Sequence, residues 1–318
     1  MKRKDFLSFA LASGLAASLP FSILRGSVMS RPSRKQVPRR PYKNQDTLSI
    51  IGFGGILCLG ISPREASNLV AKAQDDGINY FDVAPSYGEG EAEEKLGPAL
   101  KPYRSESFLA CKTMRRDGDG ARSELDRSLK RLRTDHFDLY QFHAVTGMKD
   151  VDDIFAPRGA LETVAKARDE GLTRYIGFSA HSEKAALAML DRFPFDSVLF
   201  PFNVGCWING NFGPKVLEKA KSKGAARLAL KAMAHSPWPG AGSHPYPKCW
   251  YRPIDDPELA RLALRFTLSE DVTAALPPGE ELLFHIATAY APEFVPLSLK
   301  EREQLIQKFA DVQPLFKT

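Results

Sequence analysis

The most restrictive feature of this chain is a repeat. A short, β-rich apolar run is followed by a helical pattern, and the pair recurs with a spacing of about 30 residues, the size of one strand-helix unit. The apolar runs centre near Ile50, Tyr80, Leu109, Leu139, Ile176, Leu199, Leu228 and Ala274. Helical patterns cover about 63–76, 91–101, 120–132, 159–170, 183–192, 214–224, 257–268 and 280–290. Parallel strands need a long crossover, and a helix supplies it. Gly77, Gly171 and Gly224 each follow a helical segment and precede a strand, where a left-handed residue ends a helix. Eight strands and eight helices in residues 46–318 predict an α/β fold, a (β/α)8 TIM barrel. A doubly wound sheet is the competing architecture. It calls for a G-x-G-x-x-G turn after the first strand, and Gly52-Phe53-Gly54-Gly55 lacks that order. Leu299, Leu305, Ile306 and Phe309 then space an added C-terminal helix.

Charge divides the chain unevenly. It carries 44 Lys+Arg and 38 Asp+Glu in 318 residues, a net charge of +6. Residues 1–45 hold ten of the basic side chains and one acid, Asp5, which leaves 34 basic and 37 acidic residues to the body. A nucleic-acid binder carries its basic face on the folded domain, so this distribution argues against one. Four widely spaced cysteines (Cys58, Cys111, Cys206, Cys249) form no C-x-x-C pair. Neither a metal site nor a disulfide scaffold is indicated, and buried free thiols are expected.

Lys2-Arg3-Lys4 precede a mildly apolar stretch from Leu7 to Leu19, closed by Pro20. This is the anatomy of a signal peptide, and the stretch is too short to span a bilayer. Arg3-Lys4-Asp5-Phe6-Leu7 resembles the twin-arginine export motif, with Lys4 in place of the second arginine. An amphipathic N-terminal helix is the alternative. We therefore expect a signal peptide or anchor over 1–24, a basic linker over 25–45 and the barrel over 46–318. The expected location is the periplasm, reached by export on a twin-arginine-like signal; the alternative is the cytoplasm.

In a barrel, chemistry sits at the C-terminal ends of the strands. Strand 2 ends in Asp82 and its loop carries Tyr87, strand 3 ends in Lys112, and strand 4 ends in His143. A tyrosine with its ordinary pKa of about 10 is a poor acid at neutral pH. A neighbouring lysine would favour the phenolate and lower that value. A carboxylate would hold the lysine charged, and an imidazole could hydrogen-bond a substrate oxygen. Together the four can protonate an oxygen as it gains negative charge, the requirement of carbonyl reduction. A metal-dependent isomerase would need more convergent carboxylates and histidines than Asp82 and His143.

The run from Gly77 through Asn79, Phe81, Asp82, Tyr87, Gly88, Gly90, Glu93 and Leu96 to Gly97 resembles the aldo-keto reductase signature. Val83 replaces the family's Thr. Phe108 to Lys112, Asp138 to His143 and Tyr175 to Ser179 resemble further strands of that family, in order. The resemblance covers about 48–290. It implies an NAD(P)H-dependent barrel oxidoreductase that interconverts a carbonyl, sugar-derived in one reading, and an alcohol. It implies Tyr87 as general acid and base, Lys112 and Asp82 as its tuning pair, and His143 as the group that orients the carbonyl.

The cofactor side departs from the family. Ser179 is kept, but Ala180 and Leu199 stand where the family has Asn and Gln, and Leu230-Lys231 where it often has an aromatic. Ser179, Gly54, Gly55, Lys231 and Gly279 are the cofactor-binding candidates, with His181 a substitute for a lost amide. After strand 8, Glu280 and Glu281 stand where many members place cations for a 2′-phosphate, so no strong preference for NADPH over NADH is expected. His235 to Asp256 holds five prolines and Trp238, Tyr246, Trp250 and Tyr251. It reads as a lid, or as a platform for a sugar ring. The competing function is a low-turnover cofactor-binding or regulatory barrel, motivated by the missing amide contacts. No nucleic-acid or membrane partner is expected beyond an N-terminal anchor.

Overall fold

The computed structural model describes residues 35–240 and 242–318. The signal peptide or anchor, its twin-arginine-like run and the linker up to residue 34 lie outside the described residues.

Eight parallel strands form one sheet in sequential order: β1 Phe53–Gly54, β2 Tyr80–Asp82, β3 Phe108–Thr113, β4 Phe137–Val145, β5 Thr173–Ala180, β6 Ser197–Phe200, β7 Ala226–Leu230 and β8 Ala274–Leu276. The last strand returns to the first. Ile51 bridges Ala275, the Gly52 N–H donates to the Ala275 carbonyl at 3.0 Å, and the Ala275 N–H donates to Ile50 at 2.8 Å. This closes the (β/α)8 barrel. The helices are α1 Pro63–Asp75, α2 Glu91–Leu100, α3 Gly118–Leu132, α4 Met148–Phe155, α5 Ala160–Asp169, α6 Glu183–Arg192, α7 Val204–Ile208, α8 Pro214–Ser222, α9 Pro257–Ser269, α10 Glu281–Tyr290 and α11 Leu299–Lys308. α11 is the added C-terminal helix. α1 and α11 both start in a capping box, Ser62 with Glu65 and Ser298 with Glu301. Gly77, Gly171 and Gly224 have φ of 91°, 78° and 67°, as helix terminators require.

Side chains alternate in and out along a strand. One parity faces the helices and builds the outer core. The other fills the barrel with Tyr80, Phe108, Leu139, Tyr175, Leu228 and Ala274. The same inward parity delivers Asp82, Lys112, Gln141, His143, Ser179, Leu199, Leu230 and Leu276 toward the C-terminal mouth.

Three features differ from the sequence reading. The ordered body begins before residue 46. Arg39–Pro41 pairs antiparallel with Thr47–Ser49, so part of the stretch read as linker is a hairpin strand. Its Tyr42 packs 4.9 Å from Phe108 and 5.3 Å from Tyr175, ring to ring, and Arg40 donates to the carbonyls of Val272 and Leu268. Apolar burial and those bonds hold a segment whose basic composition reads as solvated. The first barrel strand is Phe53–Gly54 rather than a run centred on Ile50, because Thr47–Ser49 is used by the hairpin. Finally, α4 and α7 form inside connections after β4 and β6.

Asp138 holds the lower rim together. It accepts from the Leu109 N–H at 2.8 Å, from Arg104 at 2.9 Å and from Arg174 at 2.8 Å, and it is 4% exposed. Removing one member of such a buried pair leaves the other charges unmatched. Asp138→Ala is expected to lower unfolding free energy by about 3 kcal/mol in urea denaturation; a loss under about 1 kcal/mol, typical of a surface pair, would refute this role.

Candidate active site

Four of the sequence-predicted residues meet at the barrel mouth. Lys112, on β3, contacts Asp82 at the end of β2 as a buried ion pair. The same ammonium donates to the Val83 carbonyl at 3.2 Å and lies 3.3 Å from the Tyr87 hydroxyl. The other Asp82 oxygen accepts from Gln141 at 3.0 Å and from the Tyr80 hydroxyl at 3.2 Å. Gln141 was not singled out from sequence, although it lies two residues before His143 on the same inward face.

The turn after β2 sets Tyr87. Gly88, Glu89 and Gly90 all have positive φ, which reverses the chain and starts α2. A Cβ at Gly90 would lie 2.1 Å from the Arg131 guanidinium, which donates to the fully buried Glu93 at 3.2 Å. Glycine at this place lets α3 clamp the start of α2. The Tyr87 ring then lies 5.7 Å from the His143 ring, nearly perpendicular to it, and 5.0 Å from the Lys112 ammonium.

His143 sits where β4 breaks register. Ala144 has φ of 52°, and pairing with β5 shifts between Phe142 and Val145. The Ala144 N–H donates to Ser179 Oγ at 2.8 Å, and Arg116 donates to the His143 carbonyl at 2.8 Å. This bulge fixes the imidazole beside Ser86, whose Oγ is 3.3 Å from Nδ1.

The electrostatics correct one expectation. Burial raises the Tyr87 phenol above its ordinary value, and Lys112 offsets only part of that effect. The phenol therefore stays protonated in this state. Burial also works against the Lys112 charge, but Asp82 and Tyr87 together outweigh it and the ammonium is held up. His143 is pushed well down, first by burial and then by Lys112, His181, Lys231 and Arg116. Burial and Lys231 take His181 down to about 3.

These groups line a cleft of about 130 Å³ that opens to solvent. Ser179, Gly54, Lys231 and Gly279 line it as well. Gly55 does not: a Cβ there would lie 2.6 Å from Val83, so close packing requires a glycine. Leu199, Leu230 and Leu276 form an apolar wall. Of the long loop, Lys248, Cys249, Trp250 and Tyr251 reach the cleft. Trp238 instead stacks on His244, and Trp207 packs on Phe202 and Phe266. The loop is tied down where Glu280 accepts from the Lys248 N–H at 2.7 Å and Lys248 Nζ donates to the Leu57 carbonyl at 3.1 Å. Sequence distance hid Lys248, whose backbone N–H reaches the acidic turn after β8 and whose ammonium reaches the first strand-helix connection.

A nicotinamide dinucleotide needs a flat apolar wall, close backbone and cations for its phosphates. The leucine wall, the open space at Gly54, where a Cβ meets nothing within 4 Å, and the lysines 231 and 248 fit those needs. Leu199 supplies no amide bond. All four cysteines are buried and free, and among the described residues no three His, Cys, Asp or Glu side chains converge as a metal site. Among them, too, no helix is long and apolar enough to cross a membrane.

The two depressed histidines link stability to pH. Unfolded, each takes a proton below about pH 6.5, whereas folded they resist it, so stability present above that pH is lost as pH falls. His181→Gln is expected to flatten the slope of unfolding free energy against pH by about 1.4 kcal/mol per pH unit between pH 4 and 6. An unchanged slope in denaturant titrations would show His181 to be solvated and charged.

The profile of the Aldo/keto reductase family matches residues 51–249. An aldo-keto reductase of Bacillus subtilis, YhdN, is 32% identical over 168 residues, 48% of either chain. The L-galactose dehydrogenase of Arabidopsis thaliana is 29% identical over 203 residues, 59% of this chain and 62% of that one. The chain spans about half the length of the first curated relatives it matches. The solved holo form of an aldo-keto reductase from Bacillus halodurans superposes with a TM-score of 0.66 at 24% identity, covering 86% of this chain and 96% of that one.

Proposed function

The chain belongs to the aldo/keto reductase family, and on that premise we propose that it is an NAD(P)H-dependent oxidoreductase interconverting a small carbonyl compound and its alcohol, with Tyr87 as general acid and base. The observation that carries this reading is the Tyr87 hydroxyl, 3.3 Å from an ammonium that Asp82 keeps charged. A reduced nicotinamide, when bound, supplies hydride to the carbonyl carbon. In this reading Ser179, Gly54, Gly279 and Lys248, which line the cleft, would hold it.

The chain's own groups handle the proton. Burial keeps Tyr87 protonated, so the phenol is ready to donate to an oxygen gaining negative charge. The phenolate left behind is stabilised by Lys112, which is fixed by Asp82 and the Val83 carbonyl. With the Ser86 hydroxyl donating to Nδ1, the neutral His143 carries its hydrogen on Nε2 and directs it at the substrate oxygen. In the alcohol-to-carbonyl direction the same phenolate takes the proton back. A sugar-derived substrate is consistent with the exposed Trp250 ring at the cleft and with the likeness to a sugar dehydrogenase.

Tyr87→Phe removes the proton and leaves the ring. It is expected to lower kcat for aldehyde reduction by about 100-fold or more while nucleotide binding persists. Undiminished turnover would refute Tyr87 as the acid. A barrel that binds nucleotide but reduces no carbonyl, wild type and variant alike, would favour the regulatory reading that Leu199 motivates.

Residues 1–24 carry our proposal of export in folded form, which takes the nucleotide along. Glu280 in the turn after β8 disfavours a 2′-phosphate. Full-length protein purified without added cofactor is therefore expected to release NAD(H), alone or with NADP(H), on denaturation, read by absorbance and mass. An empty protein would overturn loaded export, and NADP(H) alone would overturn the lack of NADPH preference.

A further inference from the structure

Lys231 is a cation of the cleft with no carboxylate partner among the described residues. It follows β7 with φ of 59°, a left-handed conformation that costs a side-chain-bearing residue energy and is kept where the surroundings require it. Its ammonium lies 3.4 Å from His181 Nε2, 5.4 Å from the centre of the Trp250 ring and 5.9 Å from that of Tyr251. The ionisable groups that act on it are Cys206, Cys249 and Lys112, and none is a carboxylate. Burial, reinforced by repulsion from Lys112, lowers it to about 8.

The rest of the cleft lacks negative charge to spare. Among the described residues Asp82 is the one carboxylate lining it, and both its oxygens are taken, by Lys112, Gln141 and Tyr80. Lys248 has a carbonyl partner in Leu57. His181 cannot compensate, since it is neutral and its ring is held against Phe316, stacked at 5.1 Å. Phe316 is itself anchored, because the Thr318 N–H donates to the Gly210 carbonyl at 3.0 Å. The result is a rigid frame of imidazole and aromatic rings around one unmatched ammonium, on the cleft that also holds Tyr87 and His143.

We propose that Lys231, framed by His181, Trp250 and Tyr251, determines specificity by binding a carboxylate of the substrate, so that this enzyme acts on small oxo and hydroxy acids. The proposal rests on the reading of Tyr87 and His143 as the carbonyl-binding end of the cleft. The carboxylate occupies the Lys231 end, and the aromatic faces take the carbon skeleton between. A phosphate of the nucleotide is the other source of an anion at this place, and the experiment separates the two.

The test compares 4-carboxybenzaldehyde with its methyl ester as substrates, and titrates sodium benzoate against intrinsic tryptophan fluorescence. Wild type is expected to favour the acid over the ester by about tenfold in kcat/KM, and benzoate to quench the fluorescence saturably. Lys231→Met is expected to bring the acid-to-ester ratio to about one through KM and to weaken benzoate by about tenfold. Lys231→Arg is expected to restore part of both, and circular dichroism to show an unchanged fold. A wild-type preference for the ester, or equal losses for both aldehydes in Lys231→Met, overturns the proposal. So does weakened NAD(P)H binding in Lys231→Met with benzoate binding unchanged, which assigns the anion to the nucleotide. Benzoate bound through Lys231 by a protein that reduces neither aldehyde supports the anion subsite and refutes the reductase reading instead.

Discussion

The buried pair of Lys112 and Asp82 sets the terms for everything at the barrel mouth. Taking two charges out of water costs several kcal/mol for each, and the attraction between them offsets this only when the remaining donors and acceptors are also matched. Here they are. The ammonium has three donors and finds three acceptors: Asp82, the Val83 carbonyl and the Tyr87 hydroxyl. The carboxylate adds Gln141 and Tyr80. Tyr87 is therefore held in place by the need of a buried charge as well as by packing. The same contact that stabilises the ammonium prepares it to stabilise a phenolate.

The two ends of the barrel solve opposite problems. At the bottom, Tyr42 and Leu48 seal the interior against Tyr80, Phe108 and Tyr175, while Asp138, Arg104 and Arg174 tie adjacent strands around the rim. At the top, charges and imidazoles crowd one side of a cleft whose other side is leucine. Stability is concentrated at one end so that the other can hold groups in states that water would not favour.

Most of this was legible because strands alternate. Asp82, Lys112 and His143 each follow an apolar run at its C-terminal end, so strand, parity and position could be read together. The turn through Gly88 and Gly90 announced itself by its glycines. What escaped depends on partners distant in sequence. The bulge at Ala144 needs Ser179, and Lys248 reaches the acidic turn only because the long loop folds back to Glu280. The direction of the Tyr87 shift was misread because a neighbouring lysine is visible in a sequence and the depth of burial is not. Tyr42 was hidden among basic residues that looked solvated. Gly55 was read as a cofactor-binding candidate, and the constraint the structure shows on it is the Val83 side chain.

The departures from the family pattern have a common physical effect. Leu199 in place of an amide, with Leu230 and Leu276 beside it, makes the cleft wall less polar. Lower polarity around a charge strengthens its interaction with whatever anion or dipole arrives, and raises the cost of leaving it unmatched. In the proposed reading, the weight of lost amide contacts falls on the charges that remain, Lys112 toward a phenolate and Lys231 toward an anion, and charges in an apolar wall discriminate a charged from a neutral partner.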